Sequence, residues 1–472
     1  MIGAEKLART LGSWRTHAPA YRALADTLRL HVVDGRLPLR TRLPSERELA
    51  VALGVSRTTV TAAYAALREE GYLASRRASG SWTALPAGTA GVAGINPIPD
   101  PGNGQLDLSH AAPTAPVTEL PAAARAAAEA LPAHLAGHGY ELAGLPALRA
   151  AVAARYAARG LPTDPDQVMV TSGALHAWAL LLRLLAGPGD RVLVEGPTYP
   201  NALVAIVRAG ARPVPVPFGD GGWDIEMLAA TLRQAGPRLA FLTPDFQNPT
   251  GYLMDGPTRA AVAGLAAHTR TTLVVDETLV ELALTDRPVP PPLASHHPDA
   301  VTIGSLSKSH WGGLRIGWIR APRALVDRLV AARPSVDLGT PVLEQLVATL
   351  LLDGTVGDSL PERRAALVTQ RDTLAAAVRD RLPEWRFTPP AGGLSLWIDL
   401  GAPVSSALTV AAGQHGVRLA AGPLFGVEGA FERYLRLPYT LPADRLTEAV
   451  TRLAAAWRTV AARPVTSVSQ AL

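Results

Sequence analysis

Lys308 is the residue whose chemistry stands out first in this sequence. The chain has 45 lysine and arginine residues, and only Lys6 and Lys308 are lysines. Arginine can replace lysine wherever positive charge alone is needed, but it stays protonated and cannot form a Schiff base. Lys308 follows an apolar stretch at 301–305 and lies beside a Gly-Gly pair in SLSKSHWGGLRIGW. We therefore predict that Lys308 is a nucleophilic amine in a binding site and not an ordinary surface lysine.

Two segments of the sequence could hold an anion. Ser172-Gly173-Ala174 lies between a predicted strand at 167–171 and a predicted helix, so free backbone N–H groups at the helix start would face a ligand. Many turns in α/β proteins look the same, and the signal is weak when taken alone. Arg315 lies seven residues after Lys308 and could clamp a phosphate, with the hydroxyls of Ser305 and Ser307 as further donors.

Four other residues complete a possible cofactor site. Asp276 ends the apolar stretch TTLVVD, where a carboxylate would point into the crevice at the end of a parallel strand. Tyr199 in EGPTYP could stack on an aromatic ring, and Asn248 in QNPTG could donate a hydrogen bond. Arg436 is enclosed by apolar residues in YLRLPY, so it needs an anion such as a ligand carboxylate. Each residue alone also has an ordinary structural reading. Together with an amine and a phosphate cradle they meet the needs of pyridoxal 5'-phosphate (PLP).

The first 84 residues follow the pattern of three helices and a hairpin. An amphipathic helix is predicted over 21–33, and Ser45 and Glu48 form the capping box of a second helix. Ser56 caps a third helix over about 57–70, and Gly80 marks the turn of a hairpin.

In a helix–turn–helix unit the start of the third helix reads the major groove of DNA. Arg57 could bind guanine with two hydrogen bonds, and hydroxyls beside it could reach bases or phosphates. Residues 1–85 contain 13 basic and 7 acidic side chains, so the excess positive charge of the chain lies in this segment. A module that only binds proteins is the competing interpretation. The predicted DNA contacts are Arg47, Ser56, Arg57, Thr58 and Thr59, with a wing formed by Arg76, Arg77 and Gly80.

The remaining sequence divides into a linker, an α/β domain and a tail. Residues 85–105 are rich in proline, glycine and alanine without periodicity, as in a flexible linker. Over 106–462, helical patterns alternate with short apolar stretches, which predicts a mostly parallel sheet wrapped by helices. A smaller α+β unit is predicted from 342, and residues 463–472 read as a loose tail. The predicted strands are 167–171, 191–195, 240–243, 272–276, 301–305 and 394–400.

The chain contains no cysteine, so disulfides and cysteine-ligated metal sites are excluded, and we expect no metal. We also expect no membrane-spanning segment and no secretory signal, because no long apolar run occurs. These features favour a cytoplasmic protein.

Two resemblances join these observations. The run LPSERELAVALGVSRTTVTAAYAALREEGYL resembles the winged helix of the GntR family of bacterial regulators. The ordered motifs SGA, EGPTYP, QNPTG, VVDE, SLSK, GGLRIGW and LRLPY resemble fold-type I aminotransferases over about 350 residues. The whole chain therefore resembles a MocR-type regulator, in which an aminotransferase-like domain senses PLP and an amino compound.

The resemblance implies a role for each candidate residue. Lys308 would be the Schiff-base lysine, Asp276 would pair with the pyridine nitrogen, and Asn248 would contact the phenolic oxygen. Tyr199 would stack on the ring, and Arg436 would hold an effector carboxylate. The phosphate would be held by Ser172, Gly173, Ala174, Ser305 and Arg315.

The resemblance also implies a homodimer in which the head of one chain packs on the body of its partner. An amino compound would displace Lys308 by aldimine exchange and so shift the heads on DNA. The alternative is a catalytically active aminotransferase with an accessory DNA-binding head, because all residues needed for half-transamination are present.

The sequence departs from the family pattern at several places. Thr278 and Leu279 stand where a tyrosine usually follows the aspartate, and Thr278 is the candidate substitute. His176 stands where relatives often have glutamine. In the head, Thr61 replaces an arginine of some members and Ala78 a glycine of the wing. The electronic tuning of the cofactor and the base preference depend on these changes.

Overall fold

A computed structural model describes residues 2–15, 19–34, 36–76, 80–84, 104–219 and 221–461. The described part forms a small N-terminal head and a larger body. Most of the predicted linker, all of the predicted tail, Arg77 and Ala78 lie outside the described residues. Within the described residues, no helix is both long enough and apolar enough to cross a bilayer.

The head is a helical unit with a two-stranded wing. The capping box is present as predicted: Ser45 Oγ accepts from the Glu48 N–H at 3.3 Å, and Glu48 Oε2 accepts from the Ser45 N–H at 2.9 Å. In the predicted amphipathic helix 21–33, the apolar residues Leu24, Leu28 and Val32 are buried in the head core. The elements are α1 (Ala4–Leu11), α2 (Ala20–Val33), α3 (Glu46–Leu53), α4 (Arg57–Glu69), β1 (Leu73–Arg76) and β2 (Gly80–Thr83).

The body is built around a large, mainly parallel sheet. Its strands are β4 (Val168–Thr171), β5 (Arg191–Gly196), β6 (Arg212–Gly219), β7 (Gly222–Trp223), β8 (Leu239–Leu242), β9 (Thr272–Asp276), β10 (Val301–Ser305) and β11 (Gly317–Arg320), in the spatial order β4-β11-β10-β9-β8-β5-β6-β7. Strands β6, β5, β8, β9 and β10 are parallel to one another along this order, whereas β11 runs antiparallel to β10 and β4. The predicted α/β class is therefore confirmed.

Helices cover both faces of this sheet. Alternate strand residues enter opposite cores: Val192 and Val194 pack on one side, and Leu193 packs on the other. This alternation follows from the twofold side-chain period of a strand. The helices are α5 (Glu119–Ala130), α6 (Pro146–Ala158), α7 (Ala174–Leu185), α8 (Pro200–Arg208), α9 (Ile225–Ala235), α10 (Gly256–Thr269), α11 (Arg323–Ala332) and α12 (Val342–Leu352).

A second, smaller sheet completes the body. It has the order β12-β14-β13-β3, where β3 (Leu106–Leu108) pairs in parallel with β13. The segment that follows the predicted linker is therefore a strand of the C-terminal unit. The other elements are β12 (Ser395–Asp399), β13 (Val417–Ala421), β14 (Tyr434–Pro438), α13 (Leu360–Arg381), α14 (Ser405–Gln414) and α15 (Ala443–Ala461).

Candidate cofactor and effector site

A cavity of about 440 Å³ lies between the two sheets. The segments that follow β4, β5, β8, β9 and β10 open into it, as expected at the carboxyl ends of parallel strands. The small sheet and the segment after β3 close the other side. The predicted site residues that line the cavity are Ala174, Tyr199, Asn248, Asp276, Thr278, Ser307, Lys308, Arg315 and Arg436.

Lys308 lies in a short helical turn, Ser307–Trp311, directly after β10. Its Nζ donates a hydrogen bond to the Ala111 carbonyl at 2.7 Å. Burial, together with the positive charges of Arg436 and Arg315, lowers the pKa of the Lys308 amine to about 8, while Asp276 opposes this shift. About a tenth of the amine is therefore unprotonated at pH 7, far more than for an ordinary lysine, and this is the nucleophilic form.

Asp276 is the last residue of β9 and is 9% exposed. Burial raises the pKa of its carboxyl, whereas hydrogen bonds from Thr278 and the charge of Lys308 act in the opposite direction. The Thr278 N–H donates to Asp276 Oδ1 at 2.9 Å. Thr278 therefore holds the aspartate, and Leu279 packs into the core of the small sheet. Thr278 also lines the cavity, so its role as a substitute for the tyrosine hydroxyl stays a prediction.

The start of α7 and Arg315 form a cradle without room for side chains. Gly173 has φ +96°, and a Cβ there would lie 2.5 Å from the nearest Arg315 guanidinium nitrogen. Arg315 Nη2 donates to the Ser172 carbonyl at 2.8 Å, which places the guanidinium beside the free N–H groups of the helix start. A Cβ on Gly317 would lie 2.7 Å from the Gly173 carbonyl carbon. Only small residues permit this close approach, and the donors together suit a phosphate.

Ser305 and His176 form hydrogen bonds with the backbone that surrounds this cradle. The Ser305 hydroxyl donates to the Ile316 carbonyl at 2.9 Å and accepts from the Ser307 N–H at 3.1 Å. Ser305 is thus turned away from the cavity, and Ser307 lines it instead. His176 Nδ1 accepts from the Ser172 N–H at 3.0 Å, and burial lowers the pKa of this imidazole.

Tyr199 and Asn248 are held by a buried network that the sequence reasoning missed. Glu195, 2% exposed at the end of β5, accepts from the Thr243 N–H at 3.0 Å and from Gln247 Nε2 at 3.1 Å. Gln247 also donates to the Pro197 carbonyl at 2.8 Å and so ties the two loops together. The glutamate in EGPTYP and the glutamine before Asn248 were the available signal.

Arg436 on β14 is buried in the wall of the cavity. Its Nη1 donates to Asn248 Oδ1 at 3.3 Å, and its Nη2 donates to the Ser109 carbonyl. Its Nε has no hydrogen-bond partner among the described residues. Burial lowers the pKa of the guanidinium to about 10, so it is still charged at neutral pH. A buried charged group with an unused donor suits a ligand carboxylate.

The segment after β3 also contributes to the site, and sequence reasoning missed it. The carbonyls of Ser109 and Ala111 bind Arg436 and Lys308, respectively. His110 lies beside them and contacts Asp107 Oδ2 through its Nδ1 at 3.0 Å. The local sequence DLSHAA contains no motif, although a polar cluster directly after an apolar strand was a weak signal.

The predicted DNA-reading residues of α3 and α4 lie mostly on the surface of the head. Arg47, Ser56, Arg57 and Thr58 are exposed, and Thr59 is half-buried. Ser56 Oγ accepts from the Thr59 N–H at 3.1 Å, which fixes the start of α4.

Glu46 braces α4 from the preceding helix. It accepts from Thr61 Oγ1 at 2.8 Å, and its carboxylate lies 4.0 Å from the Nε of Arg57, whose side chain is 71% exposed. Thr61, which replaces the arginine of some relatives, thus connects the two helices. Arg57 keeps its outer guanidinium face available to a ligand.

The wing is described only in part. β1 ends at Arg76 and β2 begins at Gly80, while Arg77 lies outside the described residues. Arg42, which the sequence reasoning did not include, is exposed, and its Nε would lie 3.1 Å from a Cβ on Gly80. This places one more positive charge beside the wing.

Comparisons with known proteins agree with both parts of this geometry. Residues 103–453 match the family "Aminotransferase class I and II", and residues 20–82 match "Bacterial regulatory proteins, gntR family". The probable rhizopine catabolism regulatory protein MocR of Rhizobium meliloti is 31% identical over 404 residues, which cover 78% of each chain. The 2-aminoadipate transaminase of Thermus thermophilus is 31% identical over 305 residues, or 63% of this chain and 77% of that protein.

A solved structure matches the body. LysN, the alpha-aminoadipate aminotransferase of Thermus thermophilus complexed with N-(5'-phosphopyridoxyl)-L-leucine, has a TM-score of 0.70 and 29% identity, covering 76% of this chain and 94% of that chain. The chain therefore belongs to the class I and II aminotransferase family, and it joins this domain to a gntR-type winged helix. The buried Lys308, the buried Asp276 and the cradle formed by the start of α7 and Arg315 fit PLP as the cofactor.

Proposed function

We propose that the chain is a PLP-dependent transcriptional regulator whose effector is an amino compound carrying a carboxylate. The observation that carries this proposal is that one chain joins a gntR-type head to a cavity lined by the buried Lys308. When bound, PLP supplies an aldehyde that reacts with amines. In the body, the start of α7 and Arg315 would hold its phosphate, Asp276 would hold a proton at its ring nitrogen, and Lys308 would provide the competing amine.

The effector class follows from Arg436 and its surroundings. The unused Nε of this buried guanidinium belongs to a side chain that lines the same cavity as Lys308. A compound with an amine and a carboxylate would satisfy both groups at once. Tyr199 and Asn248 then position the cofactor ring between them.

The proposed function also concerns the oligomeric state of the protein and its place in the cell. The aminotransferase fold indicates a dimer. A head-to-body exchange between the two chains stays a prediction, because in this single chain the head lies against its own body. To test it, chains labelled with a fluorophore on the head are mixed with chains labelled on the body. Resonance energy transfer between the two labels would then report a head of one chain packed on the body of the other. A regulator of this kind acts where the DNA is, so we propose the cytoplasm.

The cofactor is tested by covalent trapping. Reduction of the PLP-bound protein with borohydride, followed by peptide mapping, should label Lys308 and leave Lys6 unlabelled. Because the chain has only these two lysines, each serves as the control for the other. Lys308→Ala should abolish labelling, and Lys6→Arg should leave it unchanged. Labelling that persists in Lys308→Ala would contradict the proposed role.

The regulator is tested by capture of genomic DNA fragments at stated salt concentration. A preferred site should appear, and Arg57→Gln should weaken its binding by about 1–3 kcal/mol and relax one base preference. Arg29→Gln is the matched control. Arg29 lies on α2 and pairs with Glu70, and this substitution should have no effect on DNA binding. If no preferred site is found while amino groups are transferred efficiently to a keto acid, the chain is an enzyme.

A further inference from the structure

The turn between β4 and α7 is held by side chains from two different elements. On one side, His176 Nδ1 accepts a hydrogen bond from the Ser172 N–H at 3.0 Å. On the other side, Arg333 Nη1 donates to the carbonyl of Val170, the residue two positions before Ser172, at 2.7 Å. His176 belongs to α7, whereas Arg333 follows α11. The turn that begins the phosphate cradle is therefore bound from both sides.

Asp337 joins the two side chains that hold this turn. Its Oδ1 accepts from Arg333 Nε at 2.5 Å and from the Gly339 N–H at 2.9 Å. Its Oδ2 lies 2.9 Å from His176 Nε2. These contacts form a closed path that begins and ends on the same turn. We call the residues of this path the turn clamp, which consists of Val170, Arg333, Asp337, His176 and Ser172.

Arg333 and Asp337 form the charged part of the turn clamp. The Arg333 side chain is fully buried, and it also donates to the Leu142 carbonyl at 2.7 Å and to Thr340 Oγ1 at 3.1 Å. Burial acts to raise the pKa of the Asp337 carboxyl, but the hydrogen bonds from Arg333 and from the Gly339 N–H outweigh burial and lower this pKa. Asp337 is therefore ionised at neutral pH.

The ionised Asp337 favours one tautomer of the His176 imidazole. Because Nδ1 accepts from a backbone N–H, it carries no proton, and the proton of the neutral imidazole is on Nε2. That N–H group is the one nearest the Asp337 carboxylate. Burial lowers the pKa of His176, Asp337 opposes this shift, and the charges of Arg333 and Arg315 add to it. The imidazole is therefore neutral near pH 7, and Nδ1 stays an acceptor.

Ser172 connects His176 to Arg315. Its N–H is bound by His176, and its carbonyl accepts from Arg315 Nη2 at 2.8 Å. Since both backbone groups of Ser172 are bound, this residue cannot turn without breaking a hydrogen bond. Arg315 is exposed, and a long exposed side chain loses its conformational freedom only where specific bonds hold it. The orientation of the Arg315 guanidinium thus depends on the position of the Ser172 carbonyl.

We propose that His176 is a positioning residue of the PLP site, which orients Arg315 toward the cofactor phosphate by fixing the backbone of Ser172. This inference rests on the PLP site of the proposed function and adds a residue that does not line the cavity. An imidazole suits this role because one nitrogen accepts from the backbone while the other donates toward a carboxylate. Arg333 and Asp337 hold the imidazole in that orientation.

A double-mutant cycle separates this role from a merely structural one. The ligand is pyridoxamine 5'-phosphate, which carries an amine in place of the aldehyde and so cannot form a Schiff base with Lys308. Calorimetry of the full-length apoprotein gives its dissociation constant. We expect His176→Leu to weaken binding about tenfold, the size of one buried hydrogen bond, and Arg315→Gln to weaken it further.

The double variant gives the decisive comparison. If His176 acts through Arg315, adding His176→Leu to Arg315→Gln should weaken binding by less than about twofold, because the two effects share one path. If the double variant loses a further factor of about ten, the two residues act independently and the proposal is overturned. Wild-type affinity in His176→Leu alone also overturns it.

Conservative variants test the hydrogen bonds themselves. His176→Gln keeps an acceptor for the Ser172 N–H and a donor toward Asp337, so its affinity should stay within about twofold of the wild-type value. A loss as large as that of His176→Leu contradicts the proposed role. His296→Leu, at an exposed position, is the matched control and should have no effect.

Asp337→Asn changes the tautomer without removing His176. The two carboxylate oxygens of Asp337 both face donors, so either orientation of an asparagine amide places its NH₂ group against another donor. The imidazole then loses its preferred tautomer, and binding of pyridoxamine 5'-phosphate should weaken by about threefold. Unchanged affinity in Asp337→Asn overturns the role of the turn clamp.

Folding is measured separately from affinity. Thermal unfolding of each apoprotein shows whether a variant is folded, and if His176→Leu is not, the cycle is completed with Asp337→Asn in its place. No binding of pyridoxamine 5'-phosphate by the wild-type chain means that the cofactor proposal fails. Tight binding that is insensitive to His176→Gln, His176→Leu and Asp337→Asn means that this inference alone fails.

Discussion

Lys308 combines burial with neighbouring positive charge. Both act against its ammonium form and lower its pKa to about 8 from an ordinary value of 10.5. The nearby Asp276 carboxylate limits the shift but does not cancel it. The amine is therefore reactive before any ligand enters, which suits a group that must bind a cofactor covalently.

The rate of PLP capture should follow the neutral form of this amine. The neutral fraction rises with pH, and because the pKa is lowered it reaches one half at about pH 8 and is nearly complete one to two pH units higher. We expect the rate of appearance of the visible absorbance band to rise roughly tenfold per pH unit below the midpoint and to level off above it. Stopped-flow absorbance of the apoprotein at constant salt measures this profile. A midpoint near 10.5 would show that the site does not perturb the lysine.

Arg436 should matter for the carboxylate and not for the cofactor. Removing its charge with Arg436→Gln should weaken binding of N-(5'-phosphopyridoxyl)-L-leucine by about 1.5–3 kcal/mol, the range for hydrogen bonds to charged groups. Binding of pyridoxamine 5'-phosphate should stay within about twofold, since that ligand has no carboxylate. Titration calorimetry with both ligands gives the comparison. Arg436→Lys keeps the charge without the planar guanidinium. We expect its affinity for the leucine adduct to lie between those of the wild-type chain and Arg436→Gln.

At the scale of elements, local capping positions the DNA-reading helix. The capping box of α3 holds Ser45 and Glu48, and Glu46 from the same turn contacts Thr61 on α4. The first turn of α3 therefore supports the recognition helix as well as itself. Thr61 therefore connects the two helices of the head.

Loss of the cap should weaken the head without altering the body. Ser45→Ala removes the acceptor for the Glu48 N–H and should lower the stability of α3 by about 1 kcal/mol. Glu48→Gln can still accept from the Ser45 N–H and should cost less. Urea-dependent hydrogen exchange of peptides from α3 and from β9 measures both domains in one experiment. An equal loss in the two peptides would indicate that the head does not unfold by itself.

At the scale of the whole molecule, the site exists only because the two sheets of the body meet. Lys308 and Asp276 come from the large sheet, whereas Arg436 comes from the small one. The segment after β3 crosses between them and supplies the carbonyls that hold Lys308 and Arg436. A ligand in this cavity therefore binds both parts of the body at once.

PLP should consequently stabilise the body, and the free energy of unfolding should rise with the logarithm of the PLP concentration above its dissociation constant. At 100 times its dissociation constant, the free energy of unfolding should rise by about 2.7 kcal/mol. Thermal unfolding of the full-length chain with and without PLP measures the shift. Lys308→Ala should reduce it strongly, and a shift independent of PLP concentration would point to a non-specific effect.

Much of this protein could be predicted from local sequence. The strands 272–276 and 301–305 have the predicted bounds, and the capping box of α3 and the cap of α4 are present as expected. Apolar periodicity and capping are short-range properties, so a few neighbouring residues encode them. The scarcity of lysine also singled out Lys308, because amino-acid composition can be read without knowing the fold.

Other features were decided only by the tertiary structure. The pairing of β3 with β13 joins residues about 310 positions apart, and no local pattern encodes such a partner. The rotation of Ser305 away from the cavity, the clamp of Glu195 on Gln247 and the contact of Arg433 with Asp34 depend on the same long-range packing. Residue types and spacing thus identified which groups could do the chemistry. The packing of two sheets and a head decided which of them meet.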